Sequence, residues 1–238
     1  AKPACFEEKD KFLRLWLHEC CRVFMDRLIS EEDRTNFISV IDNVMDETMQ
    51  IIERNEHVYD IVFGGADLKN HEAEDPPYDQ MVDKKGLKLF MEAKLENYND
   101  EMKGRAMDIV LFKDAIEHCL KILRIIRMPR GNALLVGVGG SGRHCQTRLA
   151  SYIAEYKCSQ IEINKNYNHQ KFREDIKAIY ETAGVKAQNV TFLFSDTEIC
   201  DESFLEDVSN ILSSGEVPNL YAADELNQVR QDKTLCDA

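Results

Sequence analysis

A glycine-rich turn between an apolar run and an amphipathic run constrains this chain more than any other feature. The apolar residues of 133–136 predict a short strand that leads straight into the turn. Glycines at this spacing let the backbone approach phosphates with unusual φ angles, and the next helix offers free N–H groups. The order of strand, loop and helix therefore predicts a phosphate-binding P-loop inside an α/β domain, with a tight turn without ligand as the alternative. The loop consists of Gly137, Val138, Gly139, Gly140, Ser141 and Gly142.

The positions that follow the loop depart from the P-loop pattern. Arg143 stands where a Lys contacts the phosphates, and His144 stands where a Ser or Thr hydroxyl holds Mg²⁺. Arg keeps a positive charge there, but an imidazole cannot replace a hydroxyl as the ligand of a hard cation. Thr147 supplies a hydroxyl only if the helix begins later than predicted. We expect ATP or ADP to bind the loop together with Arg143, His144 and Cys145, and whether Mg²⁺ accompanies it stays open.

The acidic partner of a P-loop follows a neighbouring strand, where it holds the metal and orients water. The predicted strand 190–194 ends at Ser195, Asp196 and Thr197. A pairing of Ser195 with Asp196 loses the metal ligand, whereas a pairing of Asp196 with Thr197 loses the catalytic Glu. Asp196 is therefore the catalytic candidate, and Glu198, one residue too far on, is the weaker one. A strand end capped by Asp196 is the alternative.

Apolar periodicity divides the chain into a helical half and an alternating half. Helices are predicted over 10–29, 30–54, 80–98 and 107–127, with Ser30 as an N-cap and Asp33 in the capping-box position. After Pro129, strands over 133–138, 160–163 and 190–194 alternate with helices over 143–156, 170–182 and 202–212. This alternation is the layout of a parallel sheet with crossover helices.

Composition shifts between Gly64 and Tyr78, where little can be buried and Pro76-Pro77 interrupts any helix. We therefore predict a helical segment over residues 1–63, a linker over 64–79 and an α/β unit over 80–238. Ala1 in place of Met indicates a numbering that begins inside a longer chain.

Charge and cysteine usage exclude several classes of protein. A net charge of -13 opposes general binding to a nucleic-acid backbone. No apolar run approaches the roughly 20 residues that span a bilayer. The 8 cysteines form no C-x-x-C pair, which argues against a disulfide framework and a zinc site and favours a reducing compartment. We expect no metal site, no nucleic-acid partner and no membrane association.

Several segments of the second half closely resemble the fourth AAA+ module of dynein heavy chains, in the axonemal form. The earlier helical residues 15–28 resemble the end of the small subdomain of the third module, so the resemblance covers roughly residues 10–230. The axonemal module itself tends to carry Arg for the P-loop Lys and Ser-Asp-Thr in the second motif, but His144-Cys145 departs from its usual Gln and Ser. The segments of the second half are 132–143, 172–177, 192–197 and 202–220.

The resemblance implies a P-loop AAA+ parallel sheet with flanking helices, preceded by a helical segment. It implies a nucleotide-binding regulatory module of a microtubule motor that drives ciliary beating, with little or no hydrolysis of its own. The alternatives are a structural ring segment with an empty, degenerate P-loop and, less favoured, an independent small NTPase. Implied partners are the neighbouring AAA+ modules of the same heavy chain and other dynein subunits, with microtubules contacted only through regions outside this chain. The implied location is the cytoplasmic side, in the axoneme of a cilium or flagellum.

Overall fold

The computed structural model describes residues 9–48, 63–64, 78–222, 224–227 and 229. These residues belong to two units. The first runs to Ala93 and includes Val110–Arg124, and the second comprises Lys94–Ile109 and the chain from Ile125 onward. Residues 65–77, where most of the predicted linker falls, lie outside the described residues, so the predicted domain boundaries stay predictions.

Two helices open the first unit. Helix α1 spans Lys9–Val23, a short 3-10 helix follows at Met25–Arg27, and helix α2 spans Glu31–Thr48. The predicted N-cap is confirmed, because the Asp33 amide donates to the Ser30 hydroxyl oxygen at 3.1 Å. The part of the predicted second helix beyond residue 48 lies outside the described residues.

Buried apolar side chains join α1 to α2 in the first unit. They are Leu17, Cys21, Ile41 and Met45. A polar network also ties α1 to a later part of the unit, since Tyr78 donates to Glu19 at 3.1 Å and Arg124 forms an ion pair with the same carboxylate. Strand β1, Phe63–Gly64, pairs antiparallel with β2, Asp79–Gln80.

Two further helices follow β2. Helix α3 spans Lys84–Glu101, and helix α4 spans Lys113–Ile126. The predicted start of α4 at residue 107 is wrong by about one and a half turns, because residues 107–112 are not helical. Its end agrees with the prediction, as Pro129 cannot continue a helix.

The second unit carries the parallel sheet. Helix α5, Arg143–Ile153, precedes strand β3, Lys157–Gln160. Helix α6, His169–Gly184, then crosses to strand β4, Val190–Leu193, and helix α7, Ser203–Ser214, follows. Strands β3 and β4 pair in parallel, with Lys157 opposite Val190 and Gln160 opposite Leu193. The α/β class predicted from the alternation of strands and helices is confirmed.

An aromatic core lies beside this sheet. Phe172 of α6 and Phe204 of α7 are fully buried, with ring centroids 4.4 Å apart in a stacked arrangement. Ring pairs of this kind contribute about 0.5–1.5 kcal/mol beyond the burial of their area. The remaining buried members of the cluster are Ile161, Ile176, Val217 and Leu220.

The predicted strand over 133–138 is wrong, and the predicted strand over 160–163 is wrong in part. Residues 133–138 belong to no ladder in the described chain, and Leu134, Val136 and Val138 are 89%, 85% and 79% exposed. Strand β3 begins three residues before its predicted start and ends at Gln160, so residues 161–163 lie beyond it. A strand exists only where another backbone pairs with it, and apolar side chains do not reveal that partner.

The described helices include none that is both long enough and apolar enough to cross a membrane.

Candidate phosphate-binding site

The glycine loop adopts backbone angles that only glycine adopts readily. Gly140 and Gly142 have φ angles of 79° and 77°. A Cβ added at either position would meet no atom within 4 Å, so both glycines serve conformation rather than space. A hydrogen bond of 3.3 Å from the Ser141 amide to the Val138 oxygen closes the turn. The loop is therefore shaped by its own backbone.

Helix α5 starts immediately behind the loop with open donors. Gly142 is its N-cap in a left-handed conformation, and no side chain caps the helix. The first backbone bond of the helix is from the Gln146 amide to the Gly142 oxygen, at 2.8 Å. Four backbone amides donate to no acceptor among the described residues, and they belong to Gly142, Arg143, His144 and Cys145. Unpaired amides at a helix N-terminus present partial positive charge to an anion.

The Arg143 side chain folds back onto the loop. Its two terminal nitrogens donate to the carbonyl oxygens of Leu135 at 3.3 Å and Val138 at 3.4 Å. A Cβ added to Gly137 would lie 3.6 Å from the Arg143 Cδ and 3.2 Å from the Ser141 Oγ. The charge predicted to contact phosphate therefore lies against the loop backbone.

The hydroxyl that could have served a metal is already engaged. Helix α5 begins at Arg143, where it was predicted to begin, so the late start that Thr147 would need is not found. Thr147 is buried, and its hydroxyl donates to the Arg143 oxygen at 2.9 Å. His144 and Cys145 follow Arg143 in the first turn and are half-buried. The part of the chain that the structure describes contains no cluster of three His, Cys, Asp or Glu side chains suited to a metal ion.

The predicted acidic residues after β4 differ sharply in environment. Asp196 is exposed, whereas Glu198 is only 5% exposed. Asp196–Glu198 form a 3-10 turn with Ser195 as N-cap, and Glu198 closes a capping box by accepting the Ser195 amide at 2.8 Å. The Ser195 hydroxyl also bonds to that of Thr197 at 2.8 Å. The catalytic roles of Asp196 and Glu198 stay predictions.

Gln160 links this turn to the helix behind the loop. Its amide nitrogen donates to Glu198 Oε1 at 2.7 Å, and its oxygen accepts from Arg148 of α5 at 2.5 Å. Both carboxylate oxygens of Glu198 are thereby bonded. No hydrogen bond or ion pair among the described residues joins Asp196 or Glu198 directly to residues 137–145.

Two parts of this arrangement, the capping box and the Gln160 bridge, were not predicted from the sequence. The capping box was legible, since Ser195-Asp196-Thr197-Glu198 is the S/T-x-x-E pattern that marks such a turn. Gln160 carried no comparable signal, because its role depends on the register of two parallel strands.

The segment before α4 supports α5 from the side. Tyr152 of α5 donates to Glu101 at 2.8 Å and meets the Tyr98 ring edge to face, with centroids 5.4 Å apart. The Asn99 side chain accepts from the Met107 amide at 2.7 Å and donates to the Met107 oxygen at 2.9 Å.

Burial raises the pKa of the nearby Cys158 thiol, which is therefore protonated and unreactive at neutral pH.

A buried carboxylate holds α6 to α7 beyond the sheet. Asp207 is 3% exposed, and it accepts from His169 at 2.7 Å and from Arg173 at 3.1 and 3.2 Å. Burial alone would raise the pKa of Asp207, but these hydrogen bonds hold it below the ordinary value. Arg173 also donates to the oxygens of Pro218 and Asn219, so it fixes the turn after α7.

Comparison with known proteins identifies a family for the segment that contains the glycine loop. Residues 107–235 match the family model described as the P-loop containing dynein motor region D4. That match includes the glycine loop, α5, both parallel strands and α7. The fold class predicted from the resemblance, a P-loop AAA+ sheet with flanking helices, is confirmed by this match together with the α/β arrangement.

Curated relatives extend the similarity over nearly the whole chain. Dynein axonemal heavy chain 1 of Rattus norvegicus is 44% identical over 234 residues, 96% of this chain. Dynein axonemal heavy chain 2 of Mus musculus is 46% identical over 228 residues, or 94%. The dynein-1-beta heavy chain of the flagellar inner arm I1 complex of Chlamydomonas reinhardtii is 44% identical over 235 residues, or 96%. In each case the chain spans about 5% of the relative's length. The resemblance to axonemal dynein heavy chains is confirmed.

Proposed function

Because this chain belongs to the dynein heavy chains, in the family of the P-loop containing motor region D4, we propose that it is a regulatory nucleotide-binding module. Its axonemal relatives indicate the axoneme of a cilium or flagellum as its location. The module holds ATP or ADP at its glycine loop and turns it over slowly or not at all.

One observation carries the proposal. The amides of Gly142, Arg143, His144 and Cys145 have no recorded acceptor in the described chain, and they lie at one helix N-terminus behind a G-x-x-x-x-G loop. A row of such donors fits the oxygens of a phosphate, which accept several hydrogen bonds at once. Gly140 and Gly142 supply the left-handed backbone angles of the loop in front of that row. The residues present thus fit the phosphates of a nucleotide.

Retention without turnover is supported by the residues around the loop. His144 offers no hydroxyl for Mg²⁺, and the Thr147 hydroxyl is bonded within α5. Glu198, the substitute base, has both carboxylate oxygens bonded to Gln160 and the Ser195 amide. A base must reach the proton that it abstracts, and these contacts keep the carboxylate turned into the protein.

The chain's own groups account for binding without a metal. The α5 amides bind phosphate oxygens, and the α5 dipole adds an attraction of about 0.3–1 kcal/mol at an exposed site. Arg143 supplies the positive charge of the site. We expect ADP affinity to change less than about twofold when Mg²⁺ is removed with a chelator.

At the level of the whole protein, we propose that the module is one part of a motor ring. Its partners are then the neighbouring AAA+ modules of the same heavy chain and other dynein subunits. Microtubules are contacted through regions outside this chain.

Titration with fluorescent ADP and ATP tests the proposal. We expect saturable binding that unlabelled nucleotide reverses, and no phosphate release above the buffer background during hours of incubation with ATP. Absence of affinity up to millimolar concentration would overturn nucleotide binding. Steady turnover of ATP by the chain would overturn the retention role.

A structural ring segment with an unused loop is the second candidate. It is favoured by the two bonds of Arg143 to the carbonyls of Leu135 and Val138, which stabilise the loop without a ligand. Under this alternative, saturating ADP leaves the melting temperature unchanged. A ligand that binds the folded state at 100 times its Kd adds about 2.7 kcal/mol, so the two candidates differ clearly in this measurement.

A further inference from the structure

Arg143 does more in this structure than carry charge. Its guanidinium reaches two carbonyl oxygens on opposite sides of Gly137, one in the extended segment before the loop and one inside it. The Val138 oxygen also accepts the Ser141 amide, the bond that closes the turn. Arg143 therefore contacts the group on which the closure of the loop depends.

The Arg143 side chain passes close to Gly137. A Cβ there would lie 3.6 Å from the Arg143 Cδ and 3.8 Å from its Nε, and only 3.2 Å from the Ser141 Oγ. An added Cβ would therefore make ordinary van der Waals contact with the arginine stem, and only the Ser141 hydroxyl would have to give way. At Gly139, by contrast, an added Cβ would meet nothing within 4 Å.

We propose that Arg143 is an internal ligand of the loop, which holds the unliganded turn closed and must be displaced by an incoming phosphate. The displacement rests on the proposed nucleotide binding, whereas the closure of the free loop does not. The two bonds, at 3.3 and 3.4 Å, are long, and their acceptors are neutral. A phosphate is the stronger partner for a guanidinium, because the pair is charge-assisted and bidentate. Arg143 accordingly lowers the affinity for phosphate, because its bonds to the loop must break on binding, and in return it holds the shape of the free loop.

Amide hydrogen exchange in the full chain without nucleotide tests the closure. Arg143→Met keeps an unbranched stem across Gly137 but removes every donor. We expect the Ser141 amide to exchange about tenfold faster in this variant, as the loss of two weak hydrogen bonds permits. Arg130→Met is the control, since it removes an equal charge from an exposed side chain. Equal exchange at Ser141 in the native chain and Arg143→Met overturns the proposal.

Affinity for ADP tests the displacement. Arg143→Lys keeps the charge but replaces the fork by a single ammonium group, which cannot hold both carbonyls in the same way. We expect this variant to bind ADP about threefold to tenfold more tightly than the native chain, because less is broken on binding. Affinity equal to or below the native value overturns the displacement.

The two measurements keep the inferences apart. If neither chain binds ADP, the proposed function and the displacement both fall, while exchange at Ser141 still decides whether Arg143 closes the loop. If both chains bind ADP but exchange is unaffected by Arg143→Met, nucleotide binding stands and the internal ligand is excluded.

Discussion

In the proposed P-loop site, the glycine loop and the turn after β4 treat polar groups in opposite ways. At the loop, the α5 amides have no recorded acceptor in the described residues, and Leu134, Val136 and Val138 are exposed before it. At the turn, the Glu198 carboxylate is buried and its oxygens are bonded to Gln160 and Ser195. The loop leaves its amide donors without acceptors among the described residues, whereas the turn bonds its carboxylate oxygens within the protein.

Under the proposed function, binding and catalysis are separated between these two regions. Binding needs a backbone shape and open amides, both of which glycine and a helix start provide. Catalysis needs a carboxylate that faces the reacting atoms, whereas the Glu198 carboxylate is hydrogen-bonded to Gln160 and to the Ser195 amide.

Removal of the buried carboxylate gives the largest expected effect. Glu198→Ala leaves the Gln160 amide and the Ser195 amide without their acceptor, so we expect about 2–4 kcal/mol less free energy of unfolding. Urea denaturation measures this loss. The control is Glu206→Ala, which removes an exposed carboxylate from the first turn of α7. Equal losses for the two variants would mean that Glu198 is not structural.

The second effect concerns the shape of the loop. Gly142→Ala places a Cβ on a residue with φ of 77°, which costs about 1–2 kcal/mol, and we expect ADP affinity to fall with it. Gly139→Ala is the matched control, because its Cβ has open space and its φ lies outside the left-handed range. A thermal melt and an ADP titration of both variants decide the matter. Similar behaviour of the two alanines would show that backbone conformation does not limit the site.

A smaller effect is expected from the Gln160 side chain, which links the turn after β4 to helix α5. Gln160 bridges Arg148 and Glu198, so Gln160→Ala and Glu198→Ala are expected to be non-additive by about 0.5–1.5 kcal/mol. A double-mutant cycle in urea gives this coupling energy. If the two losses of unfolding free energy are strictly additive, the Gln160–Glu198 bond does not stabilise the turn.

The smallest effect is expected at the exposed acid. Asp196→Asn removes a charge whose residue is exposed, and we expect the free energy of unfolding to change by less than about 0.5 kcal/mol. The same urea series measures it. A loss comparable with that of Glu198→Ala would mean that both acids of the turn are structural, and the contrast between them would disappear.

Local chemistry made much of this structure predictable. The start of α5 at Arg143 follows from the glycine before it, and the N-cap at Ser30 follows from a short polar side chain before a helix. Strand β4 agrees closely with its apolar run, since it alternates half-buried and buried residues between two helices. These features depend on neighbours in sequence, which a pattern reports directly.

Features that depend on distant partners were not predictable in the same way. Residues 133–138 have a strand-like composition, but they pair with no described strand. Strand β3 contains Lys157, Cys158 and Ser159, so its ladder starts before any apolar signal. The fold-back of Arg143 onto two carbonyls and the bridge through Gln160 are tertiary contacts, and neither residue type specifies its partner.

The exposed segment before the loop has a practical consequence for solution work. Three large apolar side chains, together with backbone groups that pair with no strand among the described residues, form the kind of edge that pairs with a second molecule at high concentration. The net charge of -13 opposes such association through mutual repulsion, and salt weakens that repulsion. Dilute, low-salt solutions therefore favour a monodisperse sample, and light scattering at rising salt would reveal the onset of self-association.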